Sequence, residues 1–292
     1  MKFEEWSMKW LRIYKKPFVS QNTYTGSYQT YLENHLIPFF GSMEMADIKP
    51  FDVQRFFAQN SDFSKSTLNK FHMMLRAIFL TAVDNGLCER SPMTFIIYRS
   101  RKEKERKKVY SHEDMMRVKE FFKQSFPAIS FLLETGLRRG ELLGLQWSDV
   151  DFDHCTISVN RSVCSKKGGG VELRPPKWNS YRVLPVSASG MAILSTLPRS
   201  SEYVFPNRYG RPQYPRTFSN VFARHMRRMK RSMNIPTLSP HELRHTFGTD
   251  LRRRGVDIYT IQKVMGHKDI NVTANLYVHN EVESLRKSMG YS

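Results

Sequence analysis

The amino-acid sequence predicts a mainly α-helical protein in two domains, an all-helical one over residues 1–98 and a mixed α/β one over residues 111–292 that carries a small antiparallel sheet. Three observations point there. Apolar residues recur at helical spacing through most of the chain. The stretch RSRKEKERKK, Arg99 to Lys108, holds no apolar residue and marks residues 99–110 as a basic linker. Strand-like alternation is confined to the segment between Cys155 and Val186.

The elements follow in order. Phe3, Trp6, Trp10 and Tyr14 share one helix face, and Tyr28, Tyr31, Leu32 and Leu36 share another before Pro38, which is expected to stop that run. Pro50 opens a short helix through Phe57. Ser64 to Asn85 is a longer helix closed by Gly86, with Leu68, Phe71, Leu75, Ile78, Phe79 and Ala82 inward. In the second domain Ser111 with Asp114 caps the first of several helices that run to Leu145. Cys155 to Val163, Val171 to Pro175 and Tyr181 to Val186 read as strands, with Gly168 to Gly170 as a turn. Thr217 to Asn234 is a basic amphipathic helix. Phe218, Val221, Phe222, Met229 and Met233 lie on one side of it, and Arg224, Arg227, Arg228, Lys230 and Arg231 on the other. A solvated face would look the same, but five cations without an acid, with Arg224, Arg228 and Arg231 foremost, suit contact with phosphates. The terminal NEVESLRKSMGYS has the pattern of a final helix.

Composition narrows the function. The 292 residues are 40% hydrophobic and 25% charged, enough for two real cores rather than a disordered chain. Lys and Arg number 46 against 27 acids, a formal net charge of +19. Such a surplus favours a polyanion, nucleic acid first, in salt-dependent binding. The opening MKFEEWSMKWL has acids where a signal peptide needs an apolar core, and no run approaches the ~20 apolar residues of a membrane span, so a cytoplasmic protein without membrane contact is expected. Cys88, Cys155 and Cys164 show no CxxC spacing and read as ordinary buried or half-buried thiols. The three glycines are not followed by GK[ST], so no nucleotide cofactor is expected.

One stretch, SPHELRHTFGTDLRRRGVDIYTIQKVMGHKDINVTANLYVH from Ser239 to His279, concentrates chemistry-bearing residues. Ser239 suits an N-cap, Pro240 the first helical position, and Glu242 completes a capping box. His241 and Arg244 then fall in the first turns, where unpaired N–H groups and the positive dipole end favour an anion such as phosphate. HELRH, His241 to His245, also fits the HExxH pattern of zinc peptidases. Against zinc, Glu242 already has a capping role and Arg244 puts a fixed positive charge between the two would-be ligands, so no metal is expected.

Two further stretches belong with it: TGLRRGELLGLQWSDVD, with Arg138 and Glu141, and PPKWNSYRVLPV, with Lys177. Together the three resemble the tyrosine recombinase family, the phage integrases and their relatives, over essentially the whole chain. The resemblance implies that Arg138 and Arg244 are the catalytic arginines, Lys177 a hairpin lysine acting as acid, His241 and His267 the active-site histidines with His241 as base, and Tyr277 the nucleophile. Glu141 would orient a basic group, and His245 is assigned a structural hydrogen bond. Each residue alone has a plain reading: Tyr277 as packing, Lys177 as surface, His267 as a helix-end partner, Arg138 with Glu141 as an i,i+3 pair. Their joint order overturns these.

The chemistry asks for such groups. A phosphodiester transition state gathers charge on its non-bridging oxygens, which suits two fork-shaped guanidiniums. A phenol of pKa ~10 needs activation, and the leaving 5′ oxygen needs a proton. The resemblance further implies double-stranded DNA as substrate, a 3′-phosphotyrosyl intermediate needing neither ATP nor metal, and integration or excision of a mobile element. It also implies a tetramer on paired sites and accessory DNA-bending or directionality proteins. The separate N-terminal arm-binding domain of many such integrases is expected to be missing. The rival readings are a non-catalytic DNA-binding protein on the same fold, the zinc peptidase, and a type IB topoisomerase.

Overall fold

A computed structural model of the protein describes residues 1–102, 108–166 and 169–266. The chain divides into two compact units, Met1–Arg106 and Lys107–Ser292.

The first unit is helical. α1 (Phe3–Trp10) continues into a wide π turn, Leu11–Lys15. A second helical run over residues 21–40 begins with α2 (Gln21–Thr23), where Ser20 Oγ accepts the Thr23 N–H at 3.3 Å. It passes through two more π segments, Tyr24–Gln29 and Leu32–Leu36, and ends as α3 (Ile37–Phe40). Pro38 does not stop this run: it lies in the first turn of α3, where the change from π to α pairing makes its missing N–H harmless. α4 (Pro50–Gln59) and α5 (Lys65–Asp84) follow. Ser64 caps α5, and the six residues expected inward on it are buried together with Met74. Rings of Phe3, Phe40, Phe56 and Phe71 pack in series at centroid distances of 5.3, 5.3 and 5.6 Å, and Trp6 Nε1 donates to Ile78 O at 3.1 Å, which ties α1 to α5.

In the second unit Ser111 caps α6 (His112–Ser125), and Pro127 opens α7 (Pro127–Thr135), a helix whose residues are almost all buried. α8 (Arg139–Gly144) is short. β1 (Val150–Asp151) pairs with β2 (Thr156–Val159), which pairs with β5 (Arg182–Pro185), all antiparallel. β3 (Ser162–Ser165) and β4 (Val171–Arg174) form a separate antiparallel pair. The strand expected over Cys155 to Val163 is thus broken. Asn160 and Arg161 both turn back to the Asp149 carboxylate, Asn160 Nδ2 donating at 2.9 Å, and the chain leaves one sheet for the other. Cys155 is exposed rather than half-buried, because it sits at φ 52° in the tight turn between β1 and β2.

α9 (Ala188–Ser195), α10 (Pro215–Met233), α11 (Pro240–Arg253) and α12 (Ile258–Met265) complete the unit. α10 buries Phe218, Phe222, Met226 and Met229, while Val221 and Met233 are half-buried. The chain entering the unit is fastened to α11 and the segment before it: Tyr110 N–H donates to Thr246 Oγ1 at 3.2 Å, Arg253 donates to Tyr110 O at 3.1 Å, and the Tyr110 hydroxyl donates to Pro236 O at 2.8 Å. No helix among the described residues is long and apolar enough to cross a membrane. The terminal segment NEVESLRKSMGYS, expected to be a helix, lies outside the described residues, as do His267 and Tyr277.

Candidate active site

The site is built around one buried carboxylate. Arg138 is the extended residue ahead of α8, and Glu141, three residues on, reaches back to accept its N–H at 2.9 Å. The same carboxylate accepts Arg138 Nη1 at 2.7 Å and, from β5, Arg182 Nη2 at 2.8 Å and Nη1 at 3.2 Å. Burial alone would raise the Glu141 carboxyl. The Arg182 hydrogen bond and charge, with the charges of Arg138 and Arg244, instead pull it from 4.5 to about 2. Glu141 is therefore the fixed counter-charge of an arginine cluster.

Arg244 enters from α11. Its capping box forms as the sequence predicts: Ser239 Oγ accepts the Glu242 N–H at 3.3 Å, and Glu242 Oε2 accepts the Ser239 N–H at 2.7 Å. Arg244 lies one turn in and is only 1% exposed. Its Nη1 donates to Gly136 O at 2.6 Å and its Nη2 to Met265 O. Gly136 ends α7 in the left-handed region, at φ 62°, and a Cβ there would stand 2.2 Å from the Phe247 ring, so only glycine lets α7 and α11 meet with that carbonyl aimed at Arg244.

The end of α12 closes the cluster. Three successive carbonyls there each accept from a different arginine: Val264 O from Arg182 Nε at 2.8 Å, Met265 O from Arg244, and Gly266 O from Arg138 Nη2 at 2.7 Å. Helix C-termini leave these oxygens unpaired and carry partial negative charge, so cations complement them. Gly266 adopts φ 60°, and a Cβ on it would come within 3.1 Å of Arg182 Nη1 and of Ser180.

The structure thus brings Arg138, Glu141 and Arg244 together. Lys177 stands on the exposed turn Lys177–Asn179 between β4 and β5, with Nζ 5.4 Å from the Trp178 ring centroid. Since β4 and β5 belong to different sheets, this turn is no simple hairpin. Ser180 links it to the cluster, its Oγ donating to Lys177 O at 2.9 Å and standing 3.4 Å from Arg138 Nη1. His241 is exposed at the start of α11, its ring 4.3 Å from that of the buried His245. Glu242, which a zinc peptidase would use as base, is engaged in the cap. Arg224, Arg228 and Arg231 are exposed along α10. His267 follows Gly266 directly in the chain but, with Tyr277, lies outside the described residues.

Arg182 escapes a reading confined to motifs, though a signal is present. It shares strand parity with the buried Leu184, while Val183 and Pro185 are exposed, so an arginine is placed on an inward face.

A two-unit, mainly helical protein with an arginine cluster beside a small sheet is what the geometry defines, and comparison with known proteins gives the class. The sequence pattern described as "Phage integrase family" matches residues 103–284, and that described as "Phage integrase, N-terminal SAM-like domain" matches residues 2–60. A "Tyrosine recombinase XerC-like" protein of Caldanaerobacter subterraneus subsp. tengcongensis is 29% identical over 96% of this chain and 80% of its own length. The transposase from transposon Tn916 of Enterococcus faecalis is 25% identical over 94% of this chain and 74% of its own length. Among solved structures, the Tn1549 transposon integrase in complex with a circular intermediate DNA shares the fold at a TM-score of 0.85 and 24% identity, covering all of both chains. A λ integrase tetramer bound to a Holliday junction shares it at a TM-score of 0.68 and 16% identity, over 96% of this chain and 79% of the other. The chain belongs to the phage integrase family of tyrosine recombinases, site-specific enzymes that cleave and rejoin DNA strands through a phosphotyrosyl intermediate.

Proposed function

We propose that Tyr277 is the nucleophile of this recombinase and that the cluster around Glu141 prepares the scissile phosphate for it. Tyr277 Oη attacks the phosphorus, the P–O5′ bond breaks, and the 5′ oxygen leaves as a hydroxyl after taking a proton. The bond energy is kept in a 3′-phosphotyrosyl link, so a 5′-hydroxyl of a partner strand can reverse the attack, and no co-reactant is consumed. Arg138, with its side chain 23% exposed, meets the non-bridging oxygens, and Arg244 adds its charge from beneath. Lys177 supplies the proton, His241 serves as base, and His267 completes the set. The observation that carries this reading is the convergence of Arg138 and Arg244 on the carbonyls of Met265 and Gly266, immediately before His267.

The transposon relatives support a role in integrating or excising a mobile element. The λ integrase tetramer on a Holliday junction supports assembly as a tetramer on paired sites. The exposed Arg224, Arg228 and Arg231 supply phosphate contacts, accessory DNA-bending or directionality proteins assist, and the work is done in the cytoplasm. Residues 1–98 form a core-binding domain joined by linker 99–110 to catalytic residues 111–292.

The test is covalent trapping on a nicked suicide duplex carrying the element's ends, in EDTA, with wild type and Tyr277→Phe. An adduct that survives denaturation in wild type and is lost in the variant is the expected outcome. Binding without adduct in both would reject the reading in favour of a DNA-binding protein.

A further inference from the structure

We propose that Arg182 is a positioning residue for strand cleavage, a clamp that fixes the end of α12, and so the entry to His267, against Glu141 and the turn that bears Lys177. The inference rests on the function proposed above and adds a residue to it.

Arg182 makes four contacts that fix its guanidinium plane. Nε donates to Val264 O at 2.8 Å, Nη2 to Glu141 Oε2 at 2.8 Å, and Nη1 to Glu141 Oε1 and to Ser180 O, both at 3.2 Å. A planar fork that engages a carboxylate with two nitrogens and a carbonyl with the third holds an angle as well as a distance, which a lysine ammonium does not. With its side chain 8% exposed against 23% for Arg138, Arg182 is turned inward, away from where a phosphate would dock. Its role is therefore exerted through its neighbours.

Those neighbours are the candidate site. Glu141 also holds Arg138, Val264 precedes the Met265 carbonyl that receives Arg244, and Ser180 is bonded to Lys177 O. Arg138 and Lys177 each stand one intervening residue from Arg182, and Arg244 stands two. A structural salt bridge that happened to lie nearby would have no reason to touch all three supports. Because misplacing a reacting group by about 1 Å can cost about 10²-fold in rate, a clamp of this kind acts on chemistry more than on DNA affinity.

The groups facing Glu141 also predict a signature. Among the described residues they are Arg182 from β5, Arg138 from the start of α8 and Arg244 from α11, and Arg182 contributes both a hydrogen bond and a charge to holding the carboxyl down. Without Arg182 the buried carboxyl rises, takes up a proton as pH falls, and releases Arg138. Cleavage by an Arg182→Met protein should then decline on the acid side in a range where wild type stays level.

The experiment measures single-turnover cleavage of the nicked suicide duplex at saturating protein, together with duplex affinity and thermal unfolding, for wild type, Arg182→Lys and Arg182→Met. Arg182→Lys, which keeps the charge and the fold, is expected to cleave about 10²-fold more slowly at unchanged affinity. Arg182→Met is expected to add the acid limb, and guanidinium ion should partly restore its rate while ethylammonium does not. If Arg182→Met does not fold, Arg182→Lys decides alone. Wild-type cleavage by Arg182→Lys, or a loss that only tracks lost affinity or lost folded protein, overturns the inference. Failure of wild type itself to form an adduct overturns the proposed function first, and this inference with it.

Discussion

Replacing Glu141 by Gln removes the one carboxylate that, among the described residues, sits among Arg138, Arg182 and Arg244, and its cost can be worked from the structure. The carboxyl is 1% exposed and held at about 2 against an ordinary 4.5, which at about 1.4 kcal/mol per pH unit is worth about 3 kcal/mol of folding stability at neutral pH. The sign follows from a depressed folded-state pKa. The contribution is fully present above about pH 4.5, is lost as pH falls through about 2, and is down by about 2 kcal/mol at pH 3. Gln keeps the shape but brings an N–H₂ group to face arginine donors, so breaking the pair should cost about 3–5 kcal/mol at pH 7. Urea unfolding of the full chain, read by pulse proteolysis so that each unit's fragment is followed separately, should show the second unit destabilised by that amount at pH 7. The gap between the proteins should narrow by about 2 kcal/mol at pH 3. A gap under about 1 kcal/mol at pH 7, or one that does not change with pH, would refute Glu141 as the counter-charge of the cluster.

Other substitutions test the remaining supports. Arg138→Lys cannot span Glu141 and Gly266 O with one fork, and adduct formation on the suicide duplex should fall about 10²-fold or more. Gly136→Ala forces a Cβ to 2.2 Å from Phe247 at a left-handed backbone angle, so thermal unfolding should report a loss of about 1–3 kcal/mol. Tyr110→Phe leaves the Pro236 carbonyl without its buried donor and should cost about 1–2 kcal/mol in the same assay. Replacing Arg224, Arg228 and Arg231 by Gln should lower the slope of log affinity against log salt by about 0.9 for each residue that touches a phosphate, as measured by fluorescence anisotropy with duplex DNA. An unchanged slope would place α10 away from DNA.

What could be read from the sequence, and what could not, divides by range. The Ser239–Glu242 capping box, the cap at Ser111, and the inward face of α5 depend on neighbours within a few residues, and each appears as expected. Arg138 with Glu141 was legible for the same reason. The break between β2 and β3 was not, since it depends on Asp149 gathering Asn160 and Arg161 across the sheet. Pro38 looked like a stop because a proline is judged against an ordinary α-helix, and here the preceding turn is a π one. Arg182 was hidden because its partners, Glu141 and Val264, are 41 and 82 residues away in the chain.

The charge surplus shows the same limit and resolves into two populations. A total of +19 treats Arg224 and Arg182 alike. On α10 Arg224, Arg228 and Arg231 stand exposed, where any attraction for a polyanion is long-range and weakened by salt. Around Glu141, Arg182 and Arg244 are turned inward while Arg138 is partly exposed, and each is matched by a carboxylate oxygen or a carbonyl at the end of α12. One carboxylate cannot neutralise three guanidiniums. Among the described residues the cluster therefore holds more guanidiniums than carboxylates, offset in part by helix-end carbonyls that carry only fractional charge. A phosphodiester, with its single negative charge growing in the transition state, is the kind of ligand that would complete that balance. On the function proposed above, the exposed arginines of α10 and the cluster at Glu141 are separate devices, and substitutions in the two should separate affinity from rate.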